Sequence, residues 1–201
     1  MQRPIVHPDR FDRYAAPAAA ALCLAAALGF GAAFAEYSHL RHPLALLGAR
    51  GVPRALAFDL LAFALPGAVA AVVALRLRER LPGDAGYPAR LGTWLLAISA
   101  LAWAAQGLLP LDPYDLDGAA GQRHAAAWML WWLAFVPAAW LLAWGLRRCA
   151  GWRAVALSLS AAGAAAVALN AVPSAWLPGP AAQRLVALLW WGCLIAVSRR
   201  R

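Results

Sequence analysis

The stretch AAAWMLWWLAFVPAAWLLAWGL, residues 125–146, contains no charged side chain and is apolar along its whole length. A transmembrane helix needs about 20 predominantly apolar residues to cross a hydrocarbon core about 30 Å thick, and this stretch is long enough. The composition of the whole chain agrees, because 64% of its 201 residues are hydrophobic and 13% are charged, whereas soluble domains carry about 25% charged residues. The sequence therefore predicts an integral membrane protein.

Five more stretches are apolar and long enough, or nearly long enough, to cross the membrane as helices. The six predicted spans are residues 14–35, 55–75, 91–109, 125–146, 154–172 and 181–197. The last is the shortest, but arginines at its C-terminal end can reach the interface and extend it. The connections are short, and backbone groups in lipid need internal hydrogen-bond partners. We therefore predict an all-α fold, in which residues 1–201 form a single domain, a bundle of six transmembrane helices.

The distribution of arginine predicts the orientation of the bundle. All 18 basic residues are arginine, and 13 of them fall on the side of the membrane that carries both chain termini. Because cytoplasmic loops are enriched in basic residues, we expect both termini in the cytoplasm. The arginines form short clusters between apolar runs rather than a stripe on a soluble domain, so nucleic acid is not an expected partner.

The first span also matches the pattern of a secretory signal, because basic residues precede an apolar run that ends in Ala33-Phe34-Ala35. Cleavage after this run would leave five spans. The run is longer than the apolar core of a typical signal peptide, so we expect the span to be retained.

With this orientation, the chemically diverse side chains lie at the outer end of the bundle. The candidate ligand-binding residues are Glu36, His39, His42, Asp59, Asp112, Arg123 and His124. Asp59 falls about five residues inside the second span, roughly 7 Å below its outer end at 1.5 Å per residue, and an ionised carboxylate there is costly unless it is paired or hydrated. We therefore predict that residues 36–43 form the rim of a polar site and that Asp59 has a basic or imidazole partner. The candidate partners are His39, Arg41, His42, Arg123 and His124.

A metal site is a second interpretation of the same histidines. His39, His42 and His124, with one carboxylate, could hold a single metal ion and activate water. Glu36 and His39 form one Glu-x-x-His pair, but a di-metal bundle site needs two such pairs, and we do not predict a bound metal. No Walker loop, Gly-x-Ser-x-Gly elbow, Cys-x-x-Cys or His-Glu-x-x-His motif is present, and the sequence identifies no cofactor.

Several loop motifs resemble those of a known family of bacterial membrane proteins. They are Tyr37 in a turn after the first span, Leu47-Gly48 before the second, Pro110 with Asp112 after the third, and His124 at the start of the fourth. Together, over roughly residues 30–150, they are similar to the six-span proteins grouped as domain-of-unknown-function family 998. The resemblance implies six helices in the inner (cytoplasmic) membrane of a bacterium, and it points to Asp112 and His124 without naming a reaction.

Two functions from different classes fit these features. The first is a non-catalytic module whose outer-leaflet pocket binds a membrane lipid or another small amphiphile, with polar residues holding its head and deep tryptophans its apolar body. The alternative is a membrane-embedded hydrolase or transferase acting on a lipid-like substrate, in which the histidines hold a metal or act as acid and base. Because no catalytic motif is complete, we favour binding. The sequence does not specify an oligomeric state.

Overall fold

A computed structural model describes residues 10–200, which form helices and loops without any strand in that range. Six helical segments are long and apolar enough to cross a membrane, so the predicted all-α, six-span fold is confirmed. In chain order the helices are α1 (Arg10–Ala33), α2 (Ala55–Phe58), a π-helix (Asp59–Ala64), α3 (Leu65–Arg80), α4 (Gly86–Leu108), α5 (Ala119–Leu146), α6 (Arg153–Ala171) and α7 (Gly179–Ser198). Helix α2, the π-helix and α3 run on continuously as the second span. Two short 3-10 helices, Leu44–Gly48 and Gly83–Ala85, lie in the loops.

The predicted span boundaries are close to the observed ones, and the start of α5 differs most. This helix begins at Ala119 rather than at residue 125, directly after Gly118, whose backbone is extended. An apolar pattern marks only the part of a helix that lies in lipid, so it misses the polar first turns that contain Gln122 and Arg123. Residues 1–9 and 201, for which a cytoplasmic location is predicted, lie outside the described range.

Helix α4 lies at the centre of the bundle, between α3 and α5. Small residues bring these helices close together. A Cβ atom added to Gly67 of α3 would lie 2.5 Å from the backbone nitrogen of Ala104 in α4. We call the end of the bundle that carries residues 34–54 and 109–118 the outer end, and the opposite end the inner end.

The second span contains a π-helix at a point where proline removes a hydrogen-bond donor. In a regular α-helix the Ala62 carbonyl would accept a hydrogen bond from the backbone of residue 66, but Pro66 has no N–H group. The Trp103 indole of α4 donates to this carbonyl, with 3.0 Å between Nε1 and the Ala62 oxygen. Single-turn π-helices are rare and often occur at functional sites, and this one begins at Asp59.

Aromatic side chains fill the middle of the bundle. Trp103 packs against Trp131 and Trp190, with ring centroids 4.9 Å and 5.3 Å apart, and Trp190 packs against Trp191 at 4.6 Å. All four side chains are buried. These deep tryptophans therefore belong to the packed core of the protein.

A buried ion cluster joins three helices at the inner end. Asp12 of α1 is fully buried, and its carboxylate accepts hydrogen bonds from Arg76 Nε at 2.7 Å and from Arg76 Nη2 at 3.2 Å. Arg80 Nε lies 3.6 Å from Asp12 Oδ2, and Arg80 Nη1 donates to the Ser198 carbonyl of α7. The sequence does not distinguish Asp12 from the few other acidic residues near the inner end. In the structure it is buried, and its ion cluster links α1, α3 and α7.

Candidate functional site

The polar stretch after α1 is held against α7 by one arginine. Arg184 Nη2 donates to the Tyr37 hydroxyl at 2.5 Å and to the His42 carbonyl at 3.0 Å. The Ser38 backbone N–H donates to His42 Nδ1 at 3.0 Å. The stretch is therefore a folded turn, and His42 uses one ring nitrogen within it.

His39 turns towards α1. Its ring lies edge-on to Tyr37 with centroids 5.0 Å apart, and a Cβ atom added to Gly31 would lie 2.6 Å from His39 Nε2. Burial and the positive charge of Arg184 lower the pKa of His39, so its ring is mostly neutral at neutral pH. Burial raises the pKa of the Tyr37 hydroxyl, although Arg184 opposes this shift. Arg184 is therefore the charged member of this cluster.

Asp59 is buried directly beneath the 3-10 helix Leu44–Gly48. It is 4% exposed, and a Cβ atom on Gly48 would overlap its carboxylate, so a larger residue at position 48 would have to displace the Asp59 side chain. Among residues 10–200, no side chain forms a hydrogen bond or an ion pair with this carboxylate. The prediction of a basic or imidazole partner is therefore wrong, because the loop lays the Gly48 backbone, rather than a histidine or an arginine, over the carboxylate.

The end of α4 connects Asp59 to His124 of α5. Gly107 packs on Asp59, and an added Cβ atom would lie 2.5 Å from the Asp59 carbonyl oxygen. His124 Nδ1 donates to the Leu109 carbonyl at 2.9 Å, and both His124 and Gln106 are buried. Gln106 Nε2 has no hydrogen-bond partner within the described part of the chain. Asp59, Gln106 and His124 are therefore all buried at the outer end, and we refer to these three residues as the buried polar group.

The two longer outer loops are joined to each other. The Arg50 backbone N–H donates to the Leu111 carbonyl at 2.8 Å, and Arg50 Nη1 lies 3.7 Å from Asp112 Oδ2. Asp112 thus anchors the loop that precedes α5. The other two predicted site residues, Glu36 and Arg123, are exposed.

The three histidines considered as metal ligands do not converge. His39 packs on α1, His42 accepts a hydrogen bond within its own turn, and His124 binds the end of α4. In residues 10–200, no group of three or more His, Cys, Asp or Glu side chains is placed to hold a metal ion. The geometry of these residues therefore does not support metal-assisted hydrolysis or transfer.

A groove at the outer end runs between α1 and the second span. We call it the outer groove. Its volume is about 570 Å³, within the range of about 300–1,000 Å³ that is usual for small-molecule sites. The lining residues are Leu22, Ala25, Ala26, Gly29, Phe30, Ala33, Phe34, Leu47, Val52, Pro53, Arg54 and Leu61. Its walls are therefore apolar, and among the described residues Arg54 is the one charged residue that lines it.

Helix α1 presents small residues to the outer groove. Ala25, Gly29 and Ala33 recur at every fourth position, a spacing that ordinarily lets another membrane helix pack closely. A Cβ atom added to Gly29 would meet no atom of residues 10–200 within 4 Å, so space for a partner helix is open beside α1. The spacing is visible in the sequence, but it indicates helix packing, and for that reason it does not predict a groove.

Arg54, immediately before α2, has an unusual backbone conformation. Its φ and ψ of 63° and 18° lie in the left-handed region, which costs a residue other than glycine about 1–2 kcal/mol. The other described residues with positive φ are Gly51, Gly86 and Gly151. No sequence pattern predicts this conformation at an arginine, because glycine and asparagine are the residues that ordinarily adopt the left-handed region.

Comparison with known proteins identifies the family. A family model described as "Protein of unknown function (DUF998)" matches residues 17–200. Because this match covers most of the chain, the protein belongs to that family, as its loop motifs indicate. No curated protein and no solved structure matches the chain.

Proposed function

We propose that this membrane protein binds a single-chain amphiphile with an anionic head in the outer groove, and that it takes this ligand from the outer leaflet of the bacterial inner membrane. The observation that carries the proposal is Arg54, a strained cation at the mouth of an apolar groove. The hydrocarbon chain would lie along α1, and the head would meet the Arg54 guanidinium. This orientation, with both termini in the cytoplasm, follows from the arginine distribution.

The backbone of Arg54 supports a role beyond connecting two helices. Glycine would adopt this conformation without strain, and glycine occupies the other three described positions with positive φ. Strained residues persist where the surrounding structure holds them, and they cluster at ligand-binding sites. Glycine here would remove the strain and also the guanidinium. An arginine at this position therefore indicates a use for its charge.

The Arg54 guanidinium is available to an anion. The residue is exposed, and its side chain makes no hydrogen bond or ion pair to any part of residues 10–200. Its neighbour Arg50 is instead paired with Asp112. A guanidinium can bind a carboxylate or a phosphate through two parallel hydrogen bonds. The ligand head is therefore expected to carry one of these groups.

The walls of the groove suit a single hydrocarbon chain. The open space beside Gly29 lies between Leu22 of α1 and Phe34, the residue that follows this helix. Phe30 is braced by Phe58 of the second span, with ring centroids 5.6 Å apart. Lipid tails are as apolar as leucine, so these walls provide shape rather than a hydrophobic driving force. The contact with the head would therefore determine most of the selectivity.

The groove and the buried polar group share the 3-10 helix Leu44–Gly48. Leu47 lines the groove, and the next residue, Gly48, covers the Asp59 carboxylate. A ligand seated against Leu47 would alter the packing of Gly48 over Asp59. A ligand in the groove would therefore change the surroundings of the polar residues that the sequence singles out, although those residues do not line the groove.

Replacing Arg54 by glycine should separate binding from stability. We expect the affinity for palmitate to fall by about tenfold or more, because a hydrogen bond to a charged group contributes about 1.5–3 kcal/mol. The free energy of unfolding should stay the same or rise by up to about 1 kcal/mol, because the left-handed strain is relieved. The measurement is equilibrium binding of isotope-labelled palmitate to the protein in a neutral detergent, with palmityl alcohol as the uncharged probe.

Replacing Gly29 by leucine in the same assay tests the walls of the groove. The leucine side chain would occupy open space, so binding of palmitate and of palmityl alcohol should fall together. Gly192→Leu is the matched control, because an added Cβ atom there also meets no atom within 4 Å, while the residue lines a different groove between α6 and α7. Palmitate affinity equal to that of the wild type in both Arg54→Gly and Gly29→Leu would contradict the proposal.

A further inference from the structure

A second cleft lies at the inner end, between α5 and α6, and three arginines line it. The cleft has a volume of about 530 Å³, and its charged residues are Arg147, Arg148 and Arg153. We infer that this α5–α6 cleft binds the phosphate head of an anionic phospholipid from the leaflet at the inner end. This site lies at the opposite end of the bundle from the outer groove and does not depend on the function proposed for it.

The positive charge of the cleft is not neutralised by the protein within residues 10–200. None of the three arginines forms an ion pair with a carboxylate in that range. Asp84, an acidic residue at the same end, interacts with the Cys149 thiol. Basic pockets between membrane helices at the cytoplasmic side are typical sites for anionic lipid heads.

One of the arginines is already ordered for binding. Arg147 Nη1 donates to the Trp144 carbonyl at 2.8 Å, and the Arg147 Cζ atom lies 3.7 Å from the centroid of the Trp144 ring. Stacking on an aromatic face leaves other guanidinium donors for a phosphate. The side chain therefore loses less conformational entropy on binding than a free arginine would.

The start of α6 adds to the attraction for an anion. Arg153 is the first residue of α6, and no side chain in the described part of the chain caps this helix end. Backbone N–H groups in the first turn of a helix lack internal partners, and the helix dipole makes this end positive. The positive end of α6 therefore adds to the positive charge of the cleft, which Arg153 lines.

The remaining walls favour a lipid over free phosphate. Trp140, Trp144 and Leu157 line the cleft and are all exposed, so an apolar surface continues from the arginines. Tryptophan is enriched at the membrane interface, where lipid heads and tails meet. Trp140 Nε1 donates to the Ser160 carbonyl at 3.4 Å, which joins α5 to α6 along this wall. A head group bound by the arginines would therefore have its tail beside these side chains.

The test compares two triple variants with the same change in charge. In the cleft variant Arg147, Arg148 and Arg153 are replaced by glutamine. In the control variant Arg78, Arg90 and Arg199, which lie at the same end but do not line the cleft, are replaced by glutamine. Native mass spectrometry of protein extracted from phosphatidylcholine vesicles that contain phosphatidylglycerol measures the retained anionic lipid. We expect retention to fall by about 10- to 100-fold in the cleft variant and to change little in the control.

Three further measurements make the result specific. The single variant Arg148→Gln should lose about fivefold in retention, and it replaces the triple variant if that variant does not fold. For the wild type, inorganic phosphate added as a competitor should not displace phosphatidylglycerol, and an ionic strength of about 1 M should weaken retention. Equal loss in both triple variants, no loss in the cleft variants, or complete displacement by inorganic phosphate would overturn the inference.

Discussion

Replacing Asp12 by alanine is expected to lower the free energy of unfolding by about 3 kcal/mol. Asp12 is fully buried, and its partners Arg76 and Arg80 have side chains that are 35% and 4% exposed. Removing one partner of a buried ion pair costs about 3–5 kcal/mol. The partial exposure of Arg76 favours the lower end of that range. The measurement is equilibrium unfolding in mixed micelles.

A matched acidic residue and an apolar replacement provide the controls for Asp12. Glu79 is an exposed residue of α3 and directly precedes Arg80 in the sequence. Glu79→Ala should change the free energy of unfolding by less than about 0.5 kcal/mol. Replacing Asp12, Arg76 and Arg80 together by leucine or methionine should recover part of the lost stability, because no uncompensated charge is then left buried. A loss below about 1 kcal/mol for Asp12→Ala would show that the cluster does not hold α1 against α3.

Replacing Gly67 by leucine is expected to be similarly disruptive, with a loss of about 3 kcal/mol. The added Cβ atom would lie 2.5 Å from the Ala104 nitrogen and 2.7 Å from the Ala104 Cβ atom. These are backbone and near-backbone atoms of α4, so the clash can be relieved only if the two helices move apart. Overpacking of this kind costs about 1–3 kcal/mol or more. The same unfolding assay measures the change, with Gly29→Leu as the control in open space. Equal stability of the two variants would contradict the close packing of α3 on α4.

The six-span fold was predictable because lipid restricts the alternatives. A stretch such as residues 125–146 has no charged side chain, and a backbone in hydrocarbon must form its hydrogen bonds within a helix. Length and apolarity therefore suffice to predict the fold. They do not report helix ends outside the lipid, and for this reason the start of α5 at Ala119 was not predicted.

The candidate site was predictable only in part. The sequence singles out Asp59 and His124, and both are buried at the outer end. Their surroundings depend on the path of the loop between α1 and α2, which lays Gly48 over Asp59 and turns His39 towards Gly31. A loop path of this kind results from tertiary packing, which residue spacing does not encode.

The outer groove was not predictable for a different reason. Its defining features are the open space beside Gly29 and the left-handed backbone conformation of Arg54. Small residues at every fourth position indicate helix contact, and arginine does not ordinarily mark positive φ. Both features therefore emerge only in three dimensions.

Photochemical cross-linking of a diazirine-bearing palmitate, followed by peptide mass spectrometry, tests the outer groove most directly. We expect adducts within residues 22–34, from α1 to the start of the following loop, and within residues 52–61, from the end of that loop into the second span, because these segments line the groove. These adducts should be weaker in Arg54→Gly and absent in Gly29→Leu. Adducts spread over other exposed side chains such as Leu157 and Leu188, at the same yield in both variants as in the wild type, would contradict binding in the outer groove.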